Sequence, residues 1–280
     1  MKPTAGARLK IVRRPVHGVL LLDKDAGVSS NAALQRAKRL YRAEKAGHTG
    51  TLDPLASGLL PLCFGAATKF AQASLDADKR YLATLRLGVT TTTGDLEGDV
   101  VRTAAVDVDR AALEAACAKF VGAIDQVPPM HSALKRDGKP LYEYARSGIE
   151  LERAPRRVRI DAIRVVDGEG DLWTIDVSCS KGTYIRTLGE EIGAALGCGA
   201  HLAALRRTAS GALDLASAAR LAALDPLDEA ARDRHLLPPD ALVAACLWPT
   251  RPPFASTAPR PAPSSAPATS PAASSSPPAC

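Results

Sequence analysis

The sequence predicts an α/β fold, because strand-like and helix-like segments alternate along the chain. Residues 18–24 form a short, continuous apolar run that ends in charge, which is typical of a buried strand. Residues 172–179 alternate strictly between apolar and polar side chains, which predicts another strand. Helical periodicity follows each of these two segments. With 280 residues and 46% hydrophobic content, the chain can bury the core of one large domain or two small ones.

The first helix is predicted to begin at Ser29 or Ser30, either of which can cap it, and to end near Tyr41. One side of this helix is apolar, with Leu34, Ala37, Leu40 and Tyr41. The other side carries arginines and lysines between residues 36 and 42, which suit either a solvated surface or contact with RNA.

The middle of the chain predicts a strand over 80–87, a polar loop over 88–99 and a helix over 109–120. The strand over 172–179 then leads into a helix in which Arg186 lies in the first turn. A cation at that end of a helix opposes the helix dipole, so we expect a carboxylate partner for Arg186.

Residues 124–152 lack long periodicity and are predicted to form an insertion. Tyr142 and Tyr144 lie among basic residues, and the stretch 131–160 has eight Arg or Lys against four Asp or Glu. Cations beside stackable rings favour looped or single-stranded RNA, although an exposed insertion of another kind would have a similar composition.

Composition divides the chain into three parts. Residues 1–14 are a basic N-terminal segment, residues 15–245 read as one domain, and residues 246–280 are rich in Pro, Ala and Ser. Ten of the 21 prolines lie in residues 249–280, so we expect this tail to be disordered.

The six cysteines are scattered and the five histidines form no ligand-spaced cluster with them. We therefore expect reduced thiols and no metal site. No stretch has the length of a membrane span, so a cytoplasmic protein without membrane association is expected. The net charge of +6 suits a polyanionic partner.

Asp53 is a lone acid in the loop-like stretch 47–70, with glycines, prolines and apolar residues around it. Pro54 biases it toward an extended or turn conformation. Asp-Pro is itself a common turn, and the chain repeats Leu-Asp-Pro at 224–226 in an ordinary polar setting. The tripeptide alone therefore indicates little.

The wider string at residues 48–61, HTGTLDPLASGLLP, resembles the active-site motif of the TruB family of bacterial tRNA pseudouridine synthases. Further segments resemble other blocks of that family in the same order. These blocks are Gly18–Asn31, Lys79-Arg80-Tyr81, Cys179–Thr187 and Gly197–Arg207.

The resemblance implies a catalytic domain of the α+β type, with a mixed, mainly antiparallel sheet flanked by helices and an RNA-clasping insertion loop. It implies isomerisation of the T-loop uridine at tRNA position 55 to pseudouridine, without metal or organic cofactor. The target base is expected to be flipped out of the folded tRNA.

The resemblance also assigns roles to six residues. Asp53 maps to the catalytic aspartate and Arg186 to its partner. Tyr81 maps to the ring that stacks on the target base, with a role in proton transfer left open. His48 maps to a residue that holds the T-loop, whereas Tyr184 and Leu205 map to the substrate pocket. Whether the aspartate attacks the base, attacks the sugar or removes a sugar proton stays open.

Two features depart from the family pattern. Asp25 stands where a proline usually follows the first-block lysine, and the Pro-rich tail stands where a small RNA-binding domain of the PUA type is common. A reading-frame change near residues 236–241 is one hypothesis for the tail. Two other functions remain open: a tRNA-binding folding factor without catalysis, and a guide-RNA-dependent relative. We expect a monomer that binds the T-arm of tRNA.

Overall fold

The computed structural model describes residues 12–243. Most of the basic segment 1–14 and all of the predicted disordered tail 246–280 lie outside the described residues. Among the described residues, a single large sheet of ten strands carries most of the architecture, and helices cover it.

The described strands number fourteen in chain order. They are β1 Gly18–Lys24, β2 Ala46–His48, β3 Ser57–Phe64, β4 Lys79–Leu87, β5 Val89–Thr91, β6 Val100–Thr103, β7 Gly122–Gln126, β8 Lys135–Arg136, β9 Lys139–Pro140, β10 Arg156–Glu169, β11 Leu172–Cys179, β12 Ala200–Ser210, β13 Leu213–Asp214 and β14 Leu236–Leu237.

Seven α-helices are present in the same part of the chain, and two 3-10 turns span Gly65–Phe70 and Leu215–Ser217. The helices are α1 Ser30–Leu40, α2 Ala71–Asp76, α3 Arg110–Ala118, α4 Leu141–Arg146, α5 Ile185–Ala195, α6 Leu221–Leu224 and α7 Glu229–Asp233.

The large sheet has the strand order β14-β1-β3-β12-β4-β11-β10-β7, with β2 added beside β3 and β13 beside β12. Its pairings within residues 12–243 are antiparallel except for the parallel contact of β3 with β12. The expectation of a mixed, mainly antiparallel sheet flanked by helices is therefore confirmed. The short pairs β5-β6 and β8-β9 lie outside this sheet.

Continuous apolar runs become the buried strands, as the sequence predicts. All seven residues of β1 are buried, and so are seven of the eight in β3. Strand β4 alternates, and Ala83, Leu85 and Leu87 join Ile175 and Val177 of β11 in a core that α3 and α5 cover. Burial of these aliphatic side chains, at roughly 1.5–3 kcal/mol each, drives formation of the sheet.

Three details differ from the sequence prediction. The stretch predicted as a polar loop, 88–99, contains β5, which pairs with β6. Residues 124–126, predicted to begin the insertion, belong to β7 and pair with β10. The helix predicted over 109–120 spans only Arg110–Ala118, and Gly122 begins β7 with φ of +108°.

Candidate active site

Asp53 lies in the loop that joins β2 to β3, and neighbouring contacts fix the backbone on both sides of it. The Ser30 hydroxyl donates to the Leu52 carbonyl at 2.9 Å and accepts from the Leu52 N–H at 2.8 Å. The Gly27 N–H donates to the Pro54 carbonyl at 2.7 Å. The start of α1 therefore holds the loop, while the Asp53 side chain stays 44% exposed.

Arg186 meets Asp53 across this loop, with 3.0 Å between Nη2 and Oδ2. The arginine side chain is only 7% exposed, because it lies in the first turn of α5 against the sheet. The structure thus brings together two residues far apart in sequence. The carboxylate partner expected for Arg186 is Asp53, which a buried, planar guanidinium can orient by charge-assisted hydrogen bonding.

The guanidinium of Arg186 also binds groups from two other segments. It donates to the Thr93 carbonyl at 3.1 Å and to the His131 carbonyl at 2.6 Å. Its Nη1 lies 3.5 Å from Oδ2 of Asp95. His131 belongs to the insertion between β7 and β10, so the position of that insertion is coupled to the arginine beside Asp53.

Asp95 is a site residue that the sequence does not reveal, because it is one of several polar residues in the stretch 88–99. Its side chain is 4% exposed. Its Oδ1 accepts from the Thr93 hydroxyl at 2.5 Å and from the Glu97 N–H at 3.1 Å, so Oδ2 is left to face Arg186. The sequence feature that could have indicated Asp95 is an acid within a Thr- and Gly-rich turn, but this feature does not identify Arg186 as its partner.

Tyr81 lies on β4 and packs against both hydrophobic cores that flank the Asp53 loop. Burial raises the pKa of its phenol, and the positive charge and hydrogen bond of Arg207 oppose that shift. The Asp53 carboxylate raises the same pKa, which places the phenol within electrostatic range of the aspartate.

Leu205 and Tyr184 border the same region from other elements. Leu205 on β12 is half-buried and opposite Ala83 of β4, two positions from the pairing of Arg207 with Tyr81. Tyr184 immediately precedes α5. Its backbone N–H donates to the buried Gln126 side chain at 3.0 Å, and burial raises the pKa of its phenol.

His48 ends β2 and is half-buried. Burial, with a smaller effect from the charge of Arg207, lowers the pKa of its imidazole. Its Nδ1 is buried and has no hydrogen-bond partner among residues 12–243. Burial therefore favours the neutral imidazole, and its Nδ1 is enclosed at the edge of the loop.

The insertion carries aromatic side chains covered by cations. The Arg146 guanidinium lies 5.3 Å from the centre of the Tyr142 ring, and Lys139 Nζ lies 4.9 Å from that of Tyr144. Both rings sit on α4, close to the residues that bind Arg186. This arrangement presents positive charge and ring faces together at a surface.

Within residues 12–243, no group of three or more His, Cys, Asp or Glu side chains is arranged to hold a metal ion. The four cysteines described, Cys63, Cys117, Cys179 and Cys198, are buried free thiols. No helix in these residues is long and apolar enough to span a membrane.

Family models match nearly the whole described chain. The model of the TruB family pseudouridylate synthase N-terminal domain matches residues 38–185, and that of the tRNA pseudouridylate synthase B C-terminal domain matches residues 186–244. Asp53 and Tyr81 lie in the first match, and Arg186 and Leu205 lie in the second. The fold and this assembled site define a pseudouridine synthase.

Curated relatives are similar over most of their length. The chain is 63% identical over 241 residues to tRNA pseudouridine synthase B of Burkholderia mallei, covering 86% of this chain and 78% of that protein. It is 62% identical over 239 residues to the protein of the same name from Cupriavidus metallidurans, covering 85% and 76%. The chain therefore belongs to the TruB family of pseudouridylate synthases.

A solved structure with the same fold is a chain in the crystal structure of a Cbf5-Nop10-Gar1 complex, with a TM-score of 0.65 and 31% identity. The match covers 82% of this chain and 62% of that one. A chain of the archaeal box H/ACA sRNP Nop10-Cbf5 complex matches similarly, with a TM-score of 0.63 and 29% identity. This protein thus spans less than two thirds of the length of those chains.

Proposed function

We propose that this protein isomerises the T-loop uridine at tRNA position 55 to pseudouridine, with Asp53 as the catalytic residue. The observation that carries the proposal is the contact of the half-exposed Asp53 carboxylate with the buried Arg186. The curated relatives named tRNA pseudouridine synthase B, at 62–63% identity, support tRNA as the substrate.

The reaction exchanges one bond for another without loss of atoms. The bond from C1′ of the ribose to N1 of uracil breaks, the base turns, and a bond from C1′ to C5 forms. C5 releases a proton and N1 gains one, so no electrons are exchanged with another molecule. The proposal accordingly includes no redox cofactor.

Asp53 acts at the start of this sequence, by attack on the base, attack on the sugar or removal of a sugar proton. Arg186 holds the carboxylate toward the substrate while Asp95 and two backbone carbonyls hold the arginine. A reacting group fixed by several supports loses little freedom when the substrate arrives, which lowers the barrier.

Tyr81 is proposed to stack on the flipped uracil and to accept the proton from C5. Tyr184 and Leu205 are proposed to line the pocket that receives the base, and His48 is proposed to hold the T-loop. A flipped base needs an aromatic or apolar platform to replace the stacking that it loses in RNA.

The T-arm is proposed to bind across the insertion over 124–152, where Tyr142 and Tyr144 lie beneath cations. Such pairs neutralise phosphates and stack on unpaired bases. We propose residues 15–245 as the catalytic domain, acting as a monomer in the cytoplasm, where tRNA is available.

The test is conversion of an unmodified tRNA transcript labelled with tritium at C5 of uridine, with no other component present. Stoichiometric release of one tritium per tRNA is expected, and a transcript with cytidine at position 55 should release none. Binding without release would favour the non-catalytic folding factor. Release that requires an added guide RNA would favour the guide-dependent relatives.

A further inference from the structure

Arg207 is the largest fully buried side chain of the described chain, at 1% exposure, and it is a cation. Its Nε donates to the Leu59 carbonyl at 2.7 Å and its Nη2 to the Gly50 carbonyl at 3.2 Å. Within residues 12–243, no carboxylate lies within ion-pair distance of it. A buried charge without an opposite charge is expensive, so its position calls for a reason beyond packing.

The backbone near Asp53 is built to admit this arginine. Gly58 has φ of +96°, and a Cβ there would lie 2.3 Å from the Arg207 carbonyl oxygen. Gly50, with φ of +74°, would place a Cβ 3.3 Å from Arg207 Nη1. Positive φ favours glycine at both positions, and at Gly58 a side chain would also collide with the backbone of β12.

Arg207 lies directly opposite Tyr81 in the antiparallel pairing of β12 with β4. Directly opposed residues in such a pair project from the same face, with Cβ atoms about 4.5–5.5 Å apart. The positive charge of the guanidinium lowers the pKa of the Tyr81 phenol, against the larger effect of burial. The other charged or titratable groups that face this phenol are Cys179 at the end of β11 and Asp53 from the loop.

We propose that Arg207 is a positioning residue that aims the Tyr81 hydroxyl at the uracil and stabilises negative charge on its oxygen. The inference deepens the proposed function and rests on it. Arg207 is too buried to touch RNA, so it acts through Tyr81. Its two carbonyl contacts fix the guanidinium, and the guanidinium in turn fixes the phenol.

The step that Arg207 supports is the removal of hydrogen from C5 after the new C1′–C5 bond has formed. The Tyr81 hydroxyl gives its proton to N1, and the resulting phenolate takes the proton from C5 as the C5–H bond breaks and its electrons return to the uracil ring. The phenol is restored and one proton has moved from C5 to N1, so atoms and charge balance. A nearby guanidinium lowers the barrier because it stabilises a phenolate that would otherwise be buried among apolar residues.

The experiment is a double-mutant cycle on the full chain, with single-turnover tritium release from C5-labelled tRNA as the measurement. The variants are Arg207→Met, Tyr81→Phe and the two combined. Arg207→Met is expected to slow the rate by roughly 10- to 100-fold, while the dissociation constant for tRNA changes by less than about threefold. In the Tyr81→Phe background, Arg207→Met should slow the rate by less than about threefold, because the hydroxyl it serves is absent.

Two further variants keep the test decisive. Arg207→Lys retains the charge and should recover part of the rate, even if Arg207→Met lowers the melting temperature. The control variant is Arg80→Lys. Arg80 is next to Tyr81 on β4 but points to the other face of the sheet, where it pairs with Asp176. This variant should keep the wild-type rate.

Full additivity of Arg207→Met and Tyr81→Phe would overturn the inference, as would loss of tRNA affinity that accounts for the whole rate effect. If the wild-type protein itself releases no tritium from tRNA, the proposed function fails and the inference fails with it. Failure of the inference alone leaves wild-type release intact.

Discussion

Two arginine–aspartate pairs, both anchored to the central sheet, differ in which partner is hidden. In the pair of Arg186 with Asp53, the arginine is 7% exposed and the carboxylate 44%. In the pair of Arg80 with Asp176, the carboxylate is 4% exposed and the arginine 24%. In the first pair, the acid is exposed to solvent and the arginine that holds it is buried. In the second pair, the acid is buried and the arginine is nearer the surface.

This difference separates a site from a structural contact. A buried carboxylate must be fully bonded, and Asp176 accepts from Arg80 and lies beside Arg164. The buried guanidinium of Arg186 also needs acceptors, and Asp95 with two backbone carbonyls supplies them. The exposed Asp53 carboxylate gains little stability from its ion pair, so we interpret that contact as preorganisation for chemistry.

Neutralising the acid of each pair tests whether the two pairs have different roles. Asp53→Asn should lower the single-turnover rate on tRNA by at least about 10³-fold, because it removes the reacting carboxylate, with little change in melting temperature. Asp176→Asn should retain the rate within about threefold yet lower the free energy of unfolding by about 1–3 kcal/mol, since it leaves buried polar groups poorly paired. If Asp53→Asn is as active as the wild-type protein, Asp53 is not the catalytic residue.

The second test replaces each arginine by lysine. Arg186→Lys should slow the reaction by about 10²-fold, because an ammonium cannot hold Asp53, Asp95 and two carbonyls in one plane. Arg80→Lys should leave the rate unchanged and be seen in thermal melting alone. Similar rates for the two variants would show that orientation by Arg186 is not needed.

A substitution of Asp95 should have a smaller effect on the rate than substitutions of Asp53 or Arg186. Asp95 does not touch the exposed face of the site, and it acts by holding Arg186. Asp95→Asn should slow single turnover by about tenfold, while tRNA affinity stays within about twofold. A loss as large as that of Asp53→Asn would mean that Asp95 takes part in the chemistry directly.

The smallest effect concerns Lys24, which is buried near Asp53 and has its pKa lowered to about 8 by burial. Because the folded state loses this proton more readily than the unfolded state, the free energy of unfolding should rise with pH above about 8. The slope contributed by Lys24 is at most about 1.4 kcal/mol per pH unit.

Urea denaturation between pH 8 and 9.5 measures this slope. Lys24→Met should reduce it, whereas Lys181→Met, at an exposed lysine paired with Asp76, should keep the wild-type slope. An unchanged slope in Lys24→Met would place the titrating group elsewhere in the fold, for example at the half-buried Lys79, whose pKa burial also lowers to about 8.

Local patterns in the sequence predicted the main elements closely. Strands β1 and β11 were predicted with the bounds that the structure shows, and α1 begins after the Ser29 cap as expected. These segments are long and strongly periodic, and their side chains alone indicate which face is buried. Short pairs such as β5 with β6 were missed, because three or four residues carry too little periodicity to distinguish a strand from a loop.

The amino-acid sequence by itself determined the strand and helix pattern and the resemblance that drew attention to Asp53. Only the tertiary structure placed Asp95 beside Arg186, and Arg207 opposite Tyr81 in the pairing of β12 with β4. Those contacts join segments that are distant in the chain, and neither residue has a local pattern that reveals its partner. Sequence periodicity records whether a side chain faces the core, whereas the partner that it meets there depends on strand order and register.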